Sequence, residues 1–163
     1  MTQKIGTFAD RINNRLVQYF PGPAALIKTS EPIVSFTFDD VPATAWTKGA
    51  RILESEGVRG TFYLAGTFID KHYEQQDMIS TEGCSELAAA GHELACHTFS
   101  HRKLSSFSRR GLEEDLDHNE TVLASFAENR GRRNFSVPFG MASPVMQPLL
   151  RRRFKTARGI MPG

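Results

Sequence analysis

Apolar positions along this chain follow two rhythms. From Ile5 through Phe8, Ile12, Leu16 and Phe20 they recur every three or four residues, the spacing of one face of an amphipathic helix, and Pro21-Gly22-Pro23 ends the run. After that, short dense apolar blocks alternate with helical stretches. Ile33 to Phe38, Thr61 to Leu64, Leu94 to His97, Asn134 to Val137 and Phe154 to Ala157 read as buried strands. Between them Trp46, Ala50 and Leu53 mark a helix closed by Gly57, and Ser85 to Ala90 a short helix stopped by Gly91. Ser108 to Glu128 carries Leu112, Leu116, Val122, Leu123 and Phe126 at helical spacing. Ser143-Pro144 reads as an N-cap and first helical residue of a helix reaching about Arg152. Phe68 to Ser80 is polar with weak periodicity and is expected to mix loop and helix.

Strand and helix in alternation predict an α/β fold on a parallel sheet, open or closed. Such sheets place their ligands beyond the carboxyl ends of the strands. The residues with chemistry cluster there, after the first, third and fourth predicted strands.

Composition narrows the classes. A chain of 163 residues fits one domain. A net charge of +2 gives no argument for a nucleic-acid partner. Arg130, Arg132 and Arg133, and Arg151 to Arg153, are expected to be solvated surface. No apolar run approaches the length of a membrane span, and Met1 to Phe20 lacks the pattern of a secretory signal, which predicts a cytoplasmic chain. Cys84 and Cys96 have no paired spacing and are expected to be buried thiols.

Two local patterns carry candidate chemistry. His97 and His101, four residues apart, reach one metal ion if the backbone turns helically between them. Asp39 and Asp40 end the first strand, where uncompensated carboxylates are costly. Successive residues of an extended chain point to opposite sides, so the two need not share a job. One ligates metal and the other takes a proton, in an order the spacing leaves open. Two histidines and one aspartate suit Zn, and also Co, Ni, Mn or Fe.

In this order and setting, Thr37-Phe38-Asp39-Asp40 and His97-Thr98-Phe99-Ser100-His101 resemble the first two motifs of the polysaccharide deacetylases, the chitin deacetylase and nodulation-factor deacetylase family (carbohydrate esterase family 4-like). The resemblance runs from about Ile33 to Ile160. It implies Asp39 as catalytic base, Asp40, His97 and His101 as metal ligands, and His92 and Glu93 as approach-segment residues. Many members follow with Arg-x-Pro-Tyr, whose Arg supports the base; here Ser136-Val137-Pro138-Phe139-Gly140 stands instead. This is similar to a branch resembling the exopolysaccharide deacetylases, and it implies Pro138 and Phe139 at the substrate and oxyanion. His72 and His118 match no motif and read as a loop and a surface residue. No later segment matches the family's closing acidic-Trp and Leu-x-x-His motifs, the second of which supplies the general acid.

The implied fold is a distorted (β/α) barrel of about seven strands, incomplete here with five. Residues 1–30 form an N-terminal helix and linker, and residues 31–163 the deacetylase-like domain. Further chain beyond Gly163, or a second copy, is expected to cover the open edge. The implied activity is metal-dependent removal of N-acetyl groups from amino sugars of an oligo- or polysaccharide. Its alternatives are a catalytically incomplete metal- and carbohydrate-binding module, and hydrolysis of a small non-sugar amide.

Overall fold

A computed structural model describes residues 8–19, 28–127 and 133–159. The elements in order are α1 (Phe8–Tyr19), β1 (Thr37–Asp39), a π-helical turn (Ala45–Ala50) continuing into α2 (Arg51–Ser55), β2 (Thr61–Leu64), β3 (His72–Tyr73), β4 (Gln76–Asp77), α3 (Thr81–Ala89), β5 (Glu93–Cys96), α4 (Arg109–Ala124), β6 (Phe135–Ser136), α5 (Gln147–Arg153) and β7 (Ala157–Arg158). Five strands form one sheet in the order β1-β2-β5-β6-β7, every pairing parallel. The expected α/β architecture, an incomplete (β/α) barrel sheet with helices, is the one observed. Helices connect the parallel strands, which cannot be joined by tight turns. β3 and β4 form a separate antiparallel hairpin.

The core follows the dense apolar blocks. Phe62 and Leu64 of β2, Leu94 and Cys96 of β5, and Phe135 of β6 are buried with Leu112, Leu116 and Leu123 of α4. Each such leucine contributes about 1.5–3 kcal/mol through burial. Phe62 stacks on Phe38 with ring centroids 4.7 Å apart. α3 and α4 start where the sequence offers caps: the Ser80 and Ser108 hydroxyls each accept a backbone N–H, from Gly83 and Gly111, at 3.0 Å. Gly57 ends its helix at φ 68° and Gly91 follows its own at φ 85°, the left-handed conformation that glycine adopts without strain.

Several boundaries differ from the sequence expectation. Ile33, Val34 and Phe36 are exposed, and the first strand begins only at Thr37, because β1 is an edge strand with a single partner. Phe68 to Ser80 holds a 3-10 turn and the β3–β4 hairpin, whose polar residues show no period because both strands are two residues long. The last helix starts at Gln147, with Ser143-Pro144 in a preceding turn: Pro148 has no N–H to extend a helical ladder back to Pro144. The last strand begins at Ala157, since Phe154 is a buried residue capping α5. Arg133 is not solvated; its guanidinium donates to Glu120 at 3.0 Å and to the Leu94 carbonyl at 2.8 Å, bracing β5. Ile5, Phe20, Pro21-Gly22-Pro23, Arg130 and Arg132 lie outside the described residues. Both cysteines are buried, and burial pushes each thiol up to about 12. No described helix is long and apolar enough to cross a membrane.

Candidate active site

The carboxyl ends of β1, β5, β6 and β7 meet on one side of the sheet. β1 delivers Asp39 and Asp40 as an adjacent pair, and the structure separates their tasks. Asp40 Oδ1 faces His101 Nε2 at 3.0 Å and His97 Nε2 at 3.4 Å. One ligand atom from each of these three residues lies within 4.8 Å of the others. Asp39 turns towards the sheet. It accepts a hydrogen bond from Ser136 Oγ at 3.0 Å and another from the Arg158 guanidinium.

Local backbone makes this arrangement. Asp40, Val41, Thr98, His101 and Phe139 all have positive φ, between 48° and 62°. L-residues rarely adopt it, and for β-branched Val41 it is a genuine outlier. They are five of the eight non-glycine residues with positive φ among those described, the others being Asp70, Glu74 and Gln75. Val41 is held by burial, and its amide bonds back to the Asp39 carbonyl. The His97–His101 turn closes when the His101 N–H donates to Thr98 Oγ1 at 3.0 Å.

Both histidines turn Nε2 towards the same carboxylate oxygen. His97 is buried, and its Nδ1 lies 2.8 Å from the Ser136 carbonyl, which can only accept. Nδ1 therefore carries a proton, so Nε2 faces Asp40 as a lone pair in the neutral ring and as a donor in the protonated ring. An acceptor facing a carboxylate oxygen is repulsive unless a proton or a cation lies between them. Asp40 Oδ1 is buried with no hydrogen-bond donor assigned to it, an orphan of the kind a cation satisfies. Burial pushes the Asp40 carboxyl up, but in the absence of a cation hydrogen bonds from the protonated His101 and His97 rings outweigh it and hold the group well below 3.8. The donor set, the lone-pair direction and the orphaned oxygen all fit a divalent metal.

Aromatic rings surround the group. His101 packs against Phe68 and Phe139, at 4.9 and 4.6 Å between centroids, and Phe68 against Tyr73 at 4.4 Å. An open cleft of ≈ 430 Å³ beside His101 is lined by Thr67, Phe68, Lys71, His72, Tyr73 and Ser100.

Of the expected residues, Asp40, His97 and His101 come together, with Phe139 against His101 and buried Pro138 beside it, while Asp39, adjacent in sequence, is held by Ser136 and Arg158. His92 stays apart, accepting the Gly60 N–H through Nδ1 and facing Glu54 through Nε2; Glu93 bonds Thr61 and Asn134. Both are structural, as the approach-segment reading implies. His118 is exposed but stacks on Phe99, and His72 lines the cleft while facing Asp77 at 2.9 Å. Sequence reasoning missed Arg158 altogether. Nothing local marks it, since it lies 119 residues from its partner Asp39.

Comparison with known proteins agrees with this geometry. The polysaccharide deacetylase family profile matches residues 27–152. A chitin deacetylase of Pestalotiopsis sp. is 30% identical over 91 residues, 56% of this chain and 29% of that protein. A chitooligosaccharide deacetylase of Sinorhizobium fredii is 28% identical over 116 residues, 71% of this chain and 50% of that protein. The chain thus spans half or less of these relatives. The structure of IcaB from Ammonifex degensii superposes with a TM-score of 0.69 at 22% identity, covering 78% of this chain and 59% of that one. From the strand-end aspartates to the His-x-x-x-His turn, and through most of its length, this chain belongs to the polysaccharide deacetylase family.

Proposed function

We propose that this protein hydrolyses the N-acetyl group of an amino sugar within an oligo- or polysaccharide, with a divalent metal held by Asp40, His97 and His101. The observation that carries the reading is the division of labour at the end of β1. One carboxylate, Asp40, joins two imidazoles, and the one before it, Asp39, is held separately by Ser136 and Arg158. The similar Sinorhizobium and Pestalotiopsis proteins are named for chitooligosaccharide and chitin deacetylation, which supports the choice of substrate.

A divalent cation, Zn in the first place, supplies Lewis acidity towards the amide carbonyl and towards water when bound. The protein's residues do the rest. Asp39, fixed by two donors, accepts a proton from the attacking water. Serine and arginine donors on the carboxylate hold it in one rotamer, so it meets that proton without searching for it. Phe139 at the turn after β6 offers its backbone N–H towards the developing oxyanion. Phe68 and Tyr73 give the cleft flat apolar walls suited to a sugar ring.

The test is acetate release from N-acetylated chito-oligosaccharides by the metal-loaded protein, run beside a small cyclic imide. Acetate from the saccharide, lost in Asp39→Asn, is the expected result. Saccharide binding without acetate release would instead identify a binding module, and turnover of the imide alone a small-amide hydrolase.

A further inference from the structure

We infer that α4 is the support of the metal loop, with Asp115 as the positioning residue that fixes the turn between His97 and His101 and so sets metal affinity. This rests on the reading of Asp40, His97 and His101 as ligands.

The loop reaches its shape at a cost. Thr98 and His101 are both left-handed, at φ 62° and 48°, and something outside the loop must hold them. Asp115 does so. Its Oδ1 accepts the Phe99 N–H at 2.7 Å and its Oδ2 accepts the Ser100 N–H at 3.1 Å. These are successive peptide groups lying between the two ligands, and both converge on one carboxylate, the strong charge-assisted form of hydrogen bond. The neighbouring residues of α4 complete the grip. The His118 ring stacks on Phe99 at 3.7 Å and 16°. Asn119, fully buried, accepts the Gly66 N–H at 2.9 Å and donates to the Leu64 carbonyl at 3.0 Å and to Cys96 Sγ at 3.2 Å. It thereby ties the ends of β2 and β5 to the same face of the helix.

The other acids of α4 are engaged elsewhere. Glu113 and Glu114 pair with Arg109 and Arg110, Asp117 with Arg153, and Glu120 with Arg133. Asp115 is the acid of this helix that serves the loop. The two ligands also depend on it unequally. His97 has a tether of its own, Nδ1 to the Ser136 carbonyl. His101 is set by the path of its backbone, which is the part Asp115 holds. Groups that hold ligands in place commonly change metal affinity by about 10- to 100-fold when removed.

The experiment is a titration of the purified protein with Co²⁺, read by visible absorption, with a competing chelator to obtain Kd. Asp115→Asn keeps the side chain's size but opposes an N–H with an amide group. It is expected to weaken Co²⁺ binding by about 10- to 100-fold and to alter the absorption bands. Asp115→Glu restores most of the affinity, and Glu114→Gln, altering an exposed pair on the same helix, changes nothing. Urea unfolding of the metal-free protein separates positioning from mere stability. A folded Asp115→Asn that binds Co²⁺ like the parent, whatever its stability, overturns the inference. If that variant does not fold, the surface substitution His118→Ala decides by the same titration, and unchanged affinity there is equally fatal. A parent that takes up no Co²⁺ would refute the ligand assignment itself, which is a separate outcome from parent binding with insensitive variants.

Discussion

Gly66, just beyond β2, lies against the edge of the Phe99 ring. A Cβ added there would sit 2.6 Å from Phe99 Cδ2, 2.8 Å from Cε2 and 3.1 Å from Asn119 Oδ1. Carbon atoms in good contact are about 3.5–4.0 Å apart, so Gly66→Ala requires a shift of about 1 Å. The ring has little room to give. It stacks on His118, the Phe99 backbone N–H donates to Asp115, and the Phe99 carbonyl accepts the Thr67 N–H at 3.0 Å. Overpacking of this kind costs about 1–3 kcal/mol. The reduced freedom of the unfolded chain returns about 0.4–1 kcal/mol, which leaves a net loss of up to about 2.6 kcal/mol, about 1.3 at the midpoints. Relief by displacement of the His97–His101 turn converts that loss into metal binding weaker by about 10-fold at the midpoint and up to about 80-fold. Gly57→Ala is the control, with nothing within 4 Å of its Cβ but a φ of +68°. It costs about 1–2 kcal/mol through backbone conformation alone and leaves the metal untouched. Urea unfolding and metal titration of both variants test this. The reasoning fails if Gly66→Ala matches the parent in both, or if Gly57→Ala is the one that loses metal.

Three further outcomes follow from the site. Asp39→Asn is expected to retain full metal affinity and lose deacetylation, as seen by titration and acetate release; parallel loss of metal would mean that Asp39 is a ligand. Arg158→Gln is expected to lower kcat on the order of 10- to 100-fold by releasing the Asp39 rotamer. It should cost less than about 1 kcal/mol of stability, because the pair is about one-third exposed, and should leave metal binding intact; an unchanged kcat would remove Arg158 from the mechanism. The pH dependence has a definite sign. The folded Asp40 carboxyl lies below its unfolded value of 3.8, so its contribution to metal-free stability is present above 3.8 and lost as pH falls below it. Acid unfolding of the parent should therefore be steeper in that range than that of Asp40→Asn, and equal slopes would contradict the ion-pair account.

Much of the site could be read from the sequence because its parts are local. Asp39-Asp40 and His97-x-x-x-His101 each lie within a few residues, at the ends of strands that the dense apolar blocks announce. β2 was placed to the residue, since Thr61–Leu64 is flanked by pairing partners and its last three residues are buried. Edge strands were placed less well. Ile33–Phe36 looks apolar enough for a core strand yet is exposed, because burial depends on what covers β1 rather than on its own residues. The β3–β4 hairpin is too short for any period to show. Long-range partners were invisible for a different reason. Arg158 with Asp39, and Asp115 with the Phe99 and Ser100 amides, are set by how strands and helices pack, and no spacing rule connects them.

The central claim is that Asp40, His97 and His101 hold one divalent metal ion. Its most direct test is the zinc content of the purified protein after equilibrium dialysis, set against the His97→Ala/His101→Ala double variant. The account predicts one equivalent of zinc in the parent and none in the double variant. A parent without zinc affinity, or a double variant that still holds its equivalent, would contradict it.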